Sequence, residues 1–314
     1  MDLSKKMQFF TLDVISTVGL GKPFGMLAAD EDVHDFVKSA DEGMEAANLF
    51  LALGLSGLAQ MPFIGKYILP SPKDDKGMGK LVGVCFQYAD DREARPVDDK
   101  SDMLSSWMRH GVTGAALRSE ACEQVIAGSD TTAGALRGIM LQLMSNSRVY
   151  AKLQREIDEA VSNGLVAENG AGIISYATAK QLPYLQAVVR EGTRWWPSVT
   201  NFFPRDIPPG GDTVVVDGKP VFLPGGAEIG YCALGILRGN KATFGEDADS
   251  FRPERWLESD PDKYAEMVRV GDMLFGYGKF QCLGKPVAQY ELSKAIFEVR
   301  EPIYRSSLEP PWVD

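Results

Sequence analysis

Apolar residues recur at helical spacing along most of this chain. Over Met7–Val18, Phe10, Val14, Ile15 and Val18 share one stripe, and Gly19-Leu20-Gly21-Lys22-Pro23 ends the run. Further helices are predicted over residues 30–53 and 77–93, followed by a loop at 95–100 and a short helix opened by Asp102-Met103-Leu104. The longest predicted helix covers Ser119–Val161, with Ile126, Ala133, Leu136, Met140 and Leu143 on one face. Pro183–Arg194 reads as a helix with Pro at its first position and Trp195-Trp196-Pro197 at its end, and Lys285–Val299 reads as another. Strand-like alternation is confined to Asp212–Val216, a turn at Asp217-Gly218, Pro220–Leu223 and Ala227–Leu234, which together predict a small antiparallel sheet. With no repeat, low-complexity tract or linker, the pattern predicts a single domain over 1–314, mainly α with a small antiparallel β region.

Composition narrows the chemistry. Charged residues at 24% and hydrophobic residues at 45% are those of a globular protein, and a formal net charge of −10 argues against a nucleic-acid partner and a polybasic membrane patch. Cys85, Cys122, Cys232 and Cys282 form no Cys-x-x-Cys pair, which disfavours zinc and dithiol chemistry and fits a reducing compartment. His34 and His110, both in polar surroundings, are expected at the surface, which leaves little room for a His-based metal site or a Ser-His-Asp triad. Asp2-Leu3-Ser4-Lys5-Lys6 is no signal peptide. The apolar stretch Leu49–Gly65 carries Ser56, Gln60 and Pro62 and is shorter than the roughly 20 residues of a bilayer span, so no transmembrane anchor is expected.

Three places carry candidate chemistry. Cys282 stands in a glycine-punctuated loop, Phe275 to Gly284, directly ahead of a helix. Gly276, Gly278 and Gly284 permit positive φ and close approach of the backbone to a flat ligand, and the first turn of the next helix favours a thiolate. One thiolate so held suits axial ligation of haem iron, although a lone Cys between glycines also serves as a small buried residue. At the centre of the longest predicted helix, Ala127-Gly128-Ser129-Asp130-Thr131-Thr132 combines weak helix formers with hydroxyls that bond back to carbonyls. Local opening of the helix is expected there, or a new helix capped by Ser129 or Asp130. Glu191 and Arg194, at i and i+3, share a helix face and can pair.

Phe275-x-x-Gly278-x-x-x-Cys282-x-Gly284 resembles the haem-binding loop of the cytochrome P450 family, and the string from Phe275 to Ala288 resembles that of fungal, pisatin-demethylase-like members. Ala127–Thr132 resembles the family's oxygen-activation motif, Glu191-x-x-Arg194 its Glu-x-x-Arg pair, and Phe251–Trp256 its Pro-Glu-Arg segment, which gives Arg255 as third partner. The resemblance implies haem b with Cys282 as the metal ligand, Phe275, Gly276, Gly278, Gly284 and Arg205 as cofactor contacts, and Asp130 and Thr131 as catalytic groups beside a groove at Gly128. It also implies Glu191, Arg194 and Arg255 as a structural network, and Val125, Ala127, Phe202 and Phe203 as substrate-pocket residues. Val199–Phe203 corresponds to a strand bordering substrate.

The implied activity is a haem-thiolate monooxygenase that oxidises an apolar small molecule of secondary metabolism with dioxygen. Its electrons come from NADPH through cytochrome P450 reductase, and the protein is a monomer. Two departures stand out. Phe280 occupies the position where many members place Arg or His, with Lys279 or Arg205 to compensate. The run Phe10–Ser16 and Gly21–Gly25 matches a helix in the middle of the family fold, so the chain is expected to lack an N-terminal portion that includes a membrane anchor and a helix covering the haem propionates. Weakened haem retention follows as an expectation. So does a cytoplasmic location in place of the family's endoplasmic-reticulum membrane, with residues 49–65 either touching a membrane peripherally or lining a core. The alternative is a non-catalytic, haem-deficient remnant with a structural or partner-binding role.

Overall fold

A computed structural model describes residues 2–59, 61–95, 102–165, 173–200, 204–258 and 260–299. Its contacts fall into two compact units, residues 1–133 and 134–314. The first contains α1 (Leu3–Leu20), α2 (Met26–Ala29), α3 (Phe36–Ala52), α4 (Ser56–Ala59), α5 (Pro62–Ile68), α6 (Gly77–Glu93), α7 (Met103–Arg109) and the first part of α8 (Gly114–Ser145). The second contains the rest of α8, then α9 (Ser147–Ser162), α10 (Tyr176–Ala179), α11 (Pro183–Trp195), β1 (Arg205–Asp206), β2 (Asp212–Val216), β3 (Lys219–Leu223) and β4 (Glu228–Ile229). It continues with α12 (Ala233–Arg238), α13 (Lys241–Phe244), α14 (Arg255–Glu258), α15 (Pro261–Gly271) and α16 (Lys285–Glu298).

In the first unit, Asp2 caps α1 through the Lys5 N–H, and Gly21 at φ 85° ends it. The buried stripe centres on Phe9, Leu12 and Ile15, while Phe10, Val14 and Val18 are half-buried. Apolar spacing alone misplaces the face because Thr11 and Ser16 are also buried, their hydroxyls satisfied by the carbonyls of Gln8 and Leu12 at 3.0 and 2.7 Å. The Asp13 carboxylate accepts the N–H groups of Gly25, Met26 and Leu27 and so fixes the start of α2. Phe24 meets Phe36 and Tyr88 at centroid distances of 5.4 and 5.6 Å inside a core shared with Leu81, Leu104, Leu117 and Val125.

The helix predicted over 30–53 starts only at Phe36, because a 3-10 turn at Val33–Asp35 holds His34 and Asp35 at φ 65° and 55°. Its end, with α4 and α5, lies at the surface: Leu49, Leu53, Phe63, Tyr67 and Leu69 are exposed, Phe63 and Tyr67 by 81%. A core lining is therefore not what this stretch provides. Among the described residues, no helix is long and apolar enough to cross a membrane. Asp102 caps α7 and also accepts from Arg92 at 3.1 Å; residues 96–100 of the loop predicted before it lie outside the described residues.

The single helix predicted over Ser119–Val161 is two, α8 and α9, divided at Asn146, which leaves helical geometry (φ −126°, ψ 80°) while its amide binds the Gln142 carbonyl. α8 runs without interruption through Ala127–Thr132, so neither an opening nor a new helix occurs there. In the second unit, α9 buries Val149, Leu153, Ile157 and Ala160. From the same helix Glu156 accepts the Tyr184 and Leu185 N–H groups at 2.8 and 2.7 Å, which caps α11 from outside. Gly192 of α11 is required for close approach: a Cβ there would stand 2.1 Å from Ile139 Cγ1. β2 and β3 form a hairpin, Val216 opposite Lys219, whose turn residues Asp217 and Gly218 both have positive φ, as the Asp-Gly pair predicts. The strand predicted over Ala227–Leu234 shrinks to β4, paired with β1, and gives way to α12 at Ala233.

Candidate functional site

α11 carries two faces. On the inward one, Glu191 and Arg194 are 0% and 1% exposed, and Arg255, at the start of α14, is 2% exposed. Arg194 grips Glu191 with Nε and Nη2, both at 2.8 Å, and Arg255 Nε reaches Glu191 Oε1 at 3.0 Å. The Arg252 backbone N–H and the Trp256 indole N–H complete the shell of the carboxylate at 2.8 and 2.9 Å. The two guanidinium groups turn their remaining N–H bonds to carbonyls: Arg194 to Leu237, Ala248 and Ser250, Arg255 to Phe244, Asp247 and Ser250. Sequence reasoning brought together Glu191, Arg194 and Arg255 but missed the Trp256 indole, whose only signal was its adjacency to Arg255.

Within the same unit, the loop ahead of α16 folds back on itself. The Cys282 N–H donates to the Phe275 carbonyl at 2.7 Å, with Gly276 and Gly278 at φ 73° and 65°. Gly284 departs from expectation: it sits at φ −76° as the residue before α16, and a Cβ there would lie 3.6 Å from Cys282 Sγ, an ordinary contact. Cys282 is exposed, which removes the reading of a small buried cysteine. Around it Tyr277, Phe280 and Leu283 are 84%, 61% and 90% exposed. Arg205 lies 4.5 Å and Lys279 5.5 Å from the centre of the Phe280 ring, so both candidate compensating cations gather where Phe280 stands. A salt bridge of 2.8 Å from Lys285 to Asp272 spans the loop from end to end.

The other cysteines divide clearly. Cys85 and Cys122, distant in sequence, meet in the core of the first unit; a hydrogen bond to Cys122, with burial, pushes the Cys85 thiol up, and the same bond lowers that of Cys122. Cys232 is exposed at the start of α12. His34 and His110 are at the surface, and no cluster of three metal-binding side chains exists among the described residues.

In the first unit, Thr131 Oγ1 donates to the Ala127 carbonyl at 2.8 Å, and Asp130 accepts from the buried Gln8 amide of α1. Gln8 was not singled out from sequence, since it lies 122 residues from its partner and reads there as one polar position on a helix. The space at Gly128 is filled: a Cβ there would stand 2.8 Å from the Ile15 side chain, so this glycine admits α1 and opens no groove. Val125 is fully buried in the hydrophobic core, whereas Ala127 is exposed. Phe202 and Phe203 lie outside the described residues, and Val199 and Thr200 before them are not in a strand.

A second buried carboxylate was also missed. Glu254 accepts from Arg148 at 2.7 Å, Lys152 at 2.8 Å and the Tyr184 hydroxyl at 3.0 Å. Burial pushes its carboxyl up, but these hydrogen bonds outweigh that and hold it at about 2, while burial and the neighbouring Glu254 charge raise Tyr184.

A family model for cytochrome P450 matches residues 1–299. The chain is 42% identical over 301 residues to the cytochrome P450 monooxygenase ABA1 of Pyricularia oryzae, an alignment covering 95% of the chain and 57% of that protein. It is 35% identical over 319 residues to aba1 of Botryotinia fuckeliana, covering 99% and 59%. With the pisatin demethylase of Fusarium vanettenii it shares 30% identity over 315 residues, covering 95% and 56%. The chain thus spans somewhat more than half the length of these relatives.

Two outcomes test the buried network. Arg255→Met leaves Glu191 with an unmatched share of buried charge and is expected to lower stability by about 3–5 kcal/mol in urea unfolding. A loss below about 1 kcal/mol would show that Arg194 and Trp256 suffice. For Glu254, the folded-state value of about 2 lies below the ordinary 4.5, so its stabilisation is complete above pH 4.5 and is lost as pH falls toward 2. Glu254→Gln should therefore flatten the acid limb of the stability profile between those values; an unchanged limb would contradict the assignment.

Proposed function

The chain belongs to the cytochrome P450 family, and from that premise we propose that its two units are the central and C-terminal parts of one haem domain that oxidises an apolar small molecule. The observation carrying this reading is the surroundings of Cys282. An accessible thiol sits among three exposed apolar side chains, Tyr277, Phe280 and Leu283, on a loop with two left-handed glycines. A soluble surface seldom leaves such a cluster uncovered. A flat apolar macrocycle that brings its own four nitrogen donors and needs one more ligand matches that surface, and a Cβ on Gly278 would meet nothing within 4 Å. The residues thus fit haem b.

Cys282 would hold the iron as thiolate, with Phe275, Gly276 and Gly278 shaping the loop and Gly284 starting the helix behind it. Arg205 and Lys279, gathered at Phe280, are the cations available for the propionate groups. The bound haem supplies the activation of dioxygen, favoured by a thiolate donor. The chain's own groups bind substrate, limit water and move protons. Thr131 Oγ1, tied to the Ala127 carbonyl, keeps a hydroxyl at a fixed place on α8, and Gln8 orients the Asp130 carboxylate as a proton carrier. Glu191, Arg194 and Arg255 keep the support of the cysteine loop rigid and touch no reacting atom. Ala127, exposed beside Thr131, is the pocket residue best supported; Val125 lies in the core, and Phe202 and Phe203 are assigned on sequence position. Electrons come from NADPH through a reductase, the substrate is a secondary metabolite, and the protein acts as a monomer. The exposed apolar surface of α3 to α5 is the peripheral membrane contact.

Haem-reconstituted protein, reduced and treated with carbon monoxide, should give the difference spectrum of thiolate-ligated haem, and Cys282→Ala should abolish it. Absence of the band in the parent chain would leave the haem-deficient, non-catalytic alternative. For the surface, co-sedimentation with phospholipid vesicles should drop severalfold in Phe63→Ser/Tyr67→Ser, the two most exposed large apolar side chains of α3 to α5; equal sedimentation of the variant would remove the membrane contact.

A further inference from the structure

Within the second unit, α10, α11, the 3-10 turn Asp272–Phe275 and α16 enclose a cavity of about 200 Å³ that does not include Cys282. α11 presents Gln186, Val189, Arg190 and Thr193 to it. These are spaced i, i+3, i+4 and i+7, a single stripe beside the one that carries Glu191. Lys180, just past α10, and Gln289 of α16 complete the polar wall, while Trp256 and Phe275 supply apolar surface.

The charges on this wall are unbalanced. The Arg190 guanidinium rests 5.8 Å from the Trp256 ring centre and Lys180 Nζ 5.6 Å from that of Tyr176, and neither has a carboxylate partner among the described residues. The wall's carboxylate, Asp272, is already engaged by Lys285 at 2.8 Å. With 43 acidic residues against 33 Lys and Arg, carboxylates are available to the cations of this chain. Arg148, Lys152, Arg252 and Lys263 of the same unit each have one. Two cations left unmatched on one concave wall, a planar fork and a point charge with an amide donor nearby, form an arrangement suited to an oxyanion.

We propose that this cavity binds a small molecule bearing a phosphate or carboxylate group, with Arg190 and Lys180 on the anion and Trp256 and Phe275 against its carbon skeleton. The volume admits the anion with a short organic part and excludes anything as large as a dinucleotide. The cavity adjoins the proposed haem site through Phe275 but does not include Cys282, and its cationic wall, Arg190 and Lys180, belongs to neither that loop nor its ligand. Its floor, Phe275, is the residue whose carbonyl accepts the Cys282 N–H, so an occupant rests on the turn from which the cysteine loop springs.

The test is isothermal titration of the full chain with pyrophosphate, inorganic phosphate and citrate, each against sodium chloride at matched ionic strength, with thermal unfolding in parallel. Saturable binding and a raised Tm are expected with at least one oxyanion and not with chloride. Tighter pyrophosphate assigns a phosphate ligand and tighter citrate a carboxylate. Arg190→Gln should weaken binding about tenfold or more, the effect of removing one charge-assisted hydrogen bond. Should Arg190→Gln fail to fold by circular dichroism, Lys180→Gln, an exposed residue outside any helix, carries the same expectation. No saturable binding of any of the three, or unchanged affinity in the folded variants, overturns the proposal.

Discussion

The Glu191 carboxylate lies fully buried in the interior of the second unit, and much of that unit is arranged to make this possible. A bare buried carboxylate costs several kcal/mol, and only nearby positive charge and a filled hydrogen-bond shell offset it. Arg194 comes from the same helix; Arg255, Trp256 and the Arg252 N–H come from one short segment beyond the sheet. The guanidinium groups, once drawn in, have N–H bonds to spare and give them to carbonyls between Leu237 and Ser250. Much of that stretch is neither long helix nor strand, and buried carbonyls there would otherwise lack partners. The ion network thus does for this stretch what a ladder does for a sheet.

Segment 251–256 works as a two-sided clamp. Arg255 and Trp256 turn toward Glu191, while Glu254 turns the opposite way and collects Arg148 and Lys152 from α9 and the Tyr184 hydroxyl from α11. The two carboxylates differ in wetness. Glu191's partners are as buried as it is, whereas Arg148 and Lys152 are 61% and 41% exposed in their side chains. Solvent screens the second set and leaves the first at full strength. From Trp256 the support passes onward: its ring meets Tyr264 of α15 edge-on at 6.5 Å and would lie 3.4 Å from a Cβ on Gly271. The Asp272–Phe275 turn begins immediately after Gly271.

Local signals were read well where they act locally. The bounds of α6, the Asp-Gly turn of the hairpin, the Asp102 cap and the exposed histidines all follow from a few adjacent residues, and the Glu191–Arg194 pair follows from i, i+3 geometry. Arg255 required the family resemblance, because 61 residues separate it from Arg194. What escaped was set by tertiary partners. Gly128 looked like an opening until Ile15 occupied it, Gln8 passed as one polar position on a helix although Asp130 claims it, and the stripe of α1 shifted because Thr11 and Ser16 satisfy their hydroxyls internally. Asn146 broke a helix whose apolar pattern continues across the break, and β4 became two residues long because α12 begins four residues later.

The cysteine loop obeys a different logic from the network beneath it. A loop optimised for packing would turn Phe280 and Leu283 inward, since burying each such side chain is worth roughly 1.5–3 kcal/mol. Here they face outward around an exposed thiol, and the backbone holds them there through one short hydrogen bond, Cys282 N–H to Phe275, and two glycines in a conformation other residues resist. Apolar area left unburied by folding remains for association, and a rigid, dry base lets that free energy go into holding a ligand without first ordering the loop. Buried charge below and exposed apolar surface above invert the usual distribution. The inversion accords with the proposal that this surface becomes an interior once a ligand covers it.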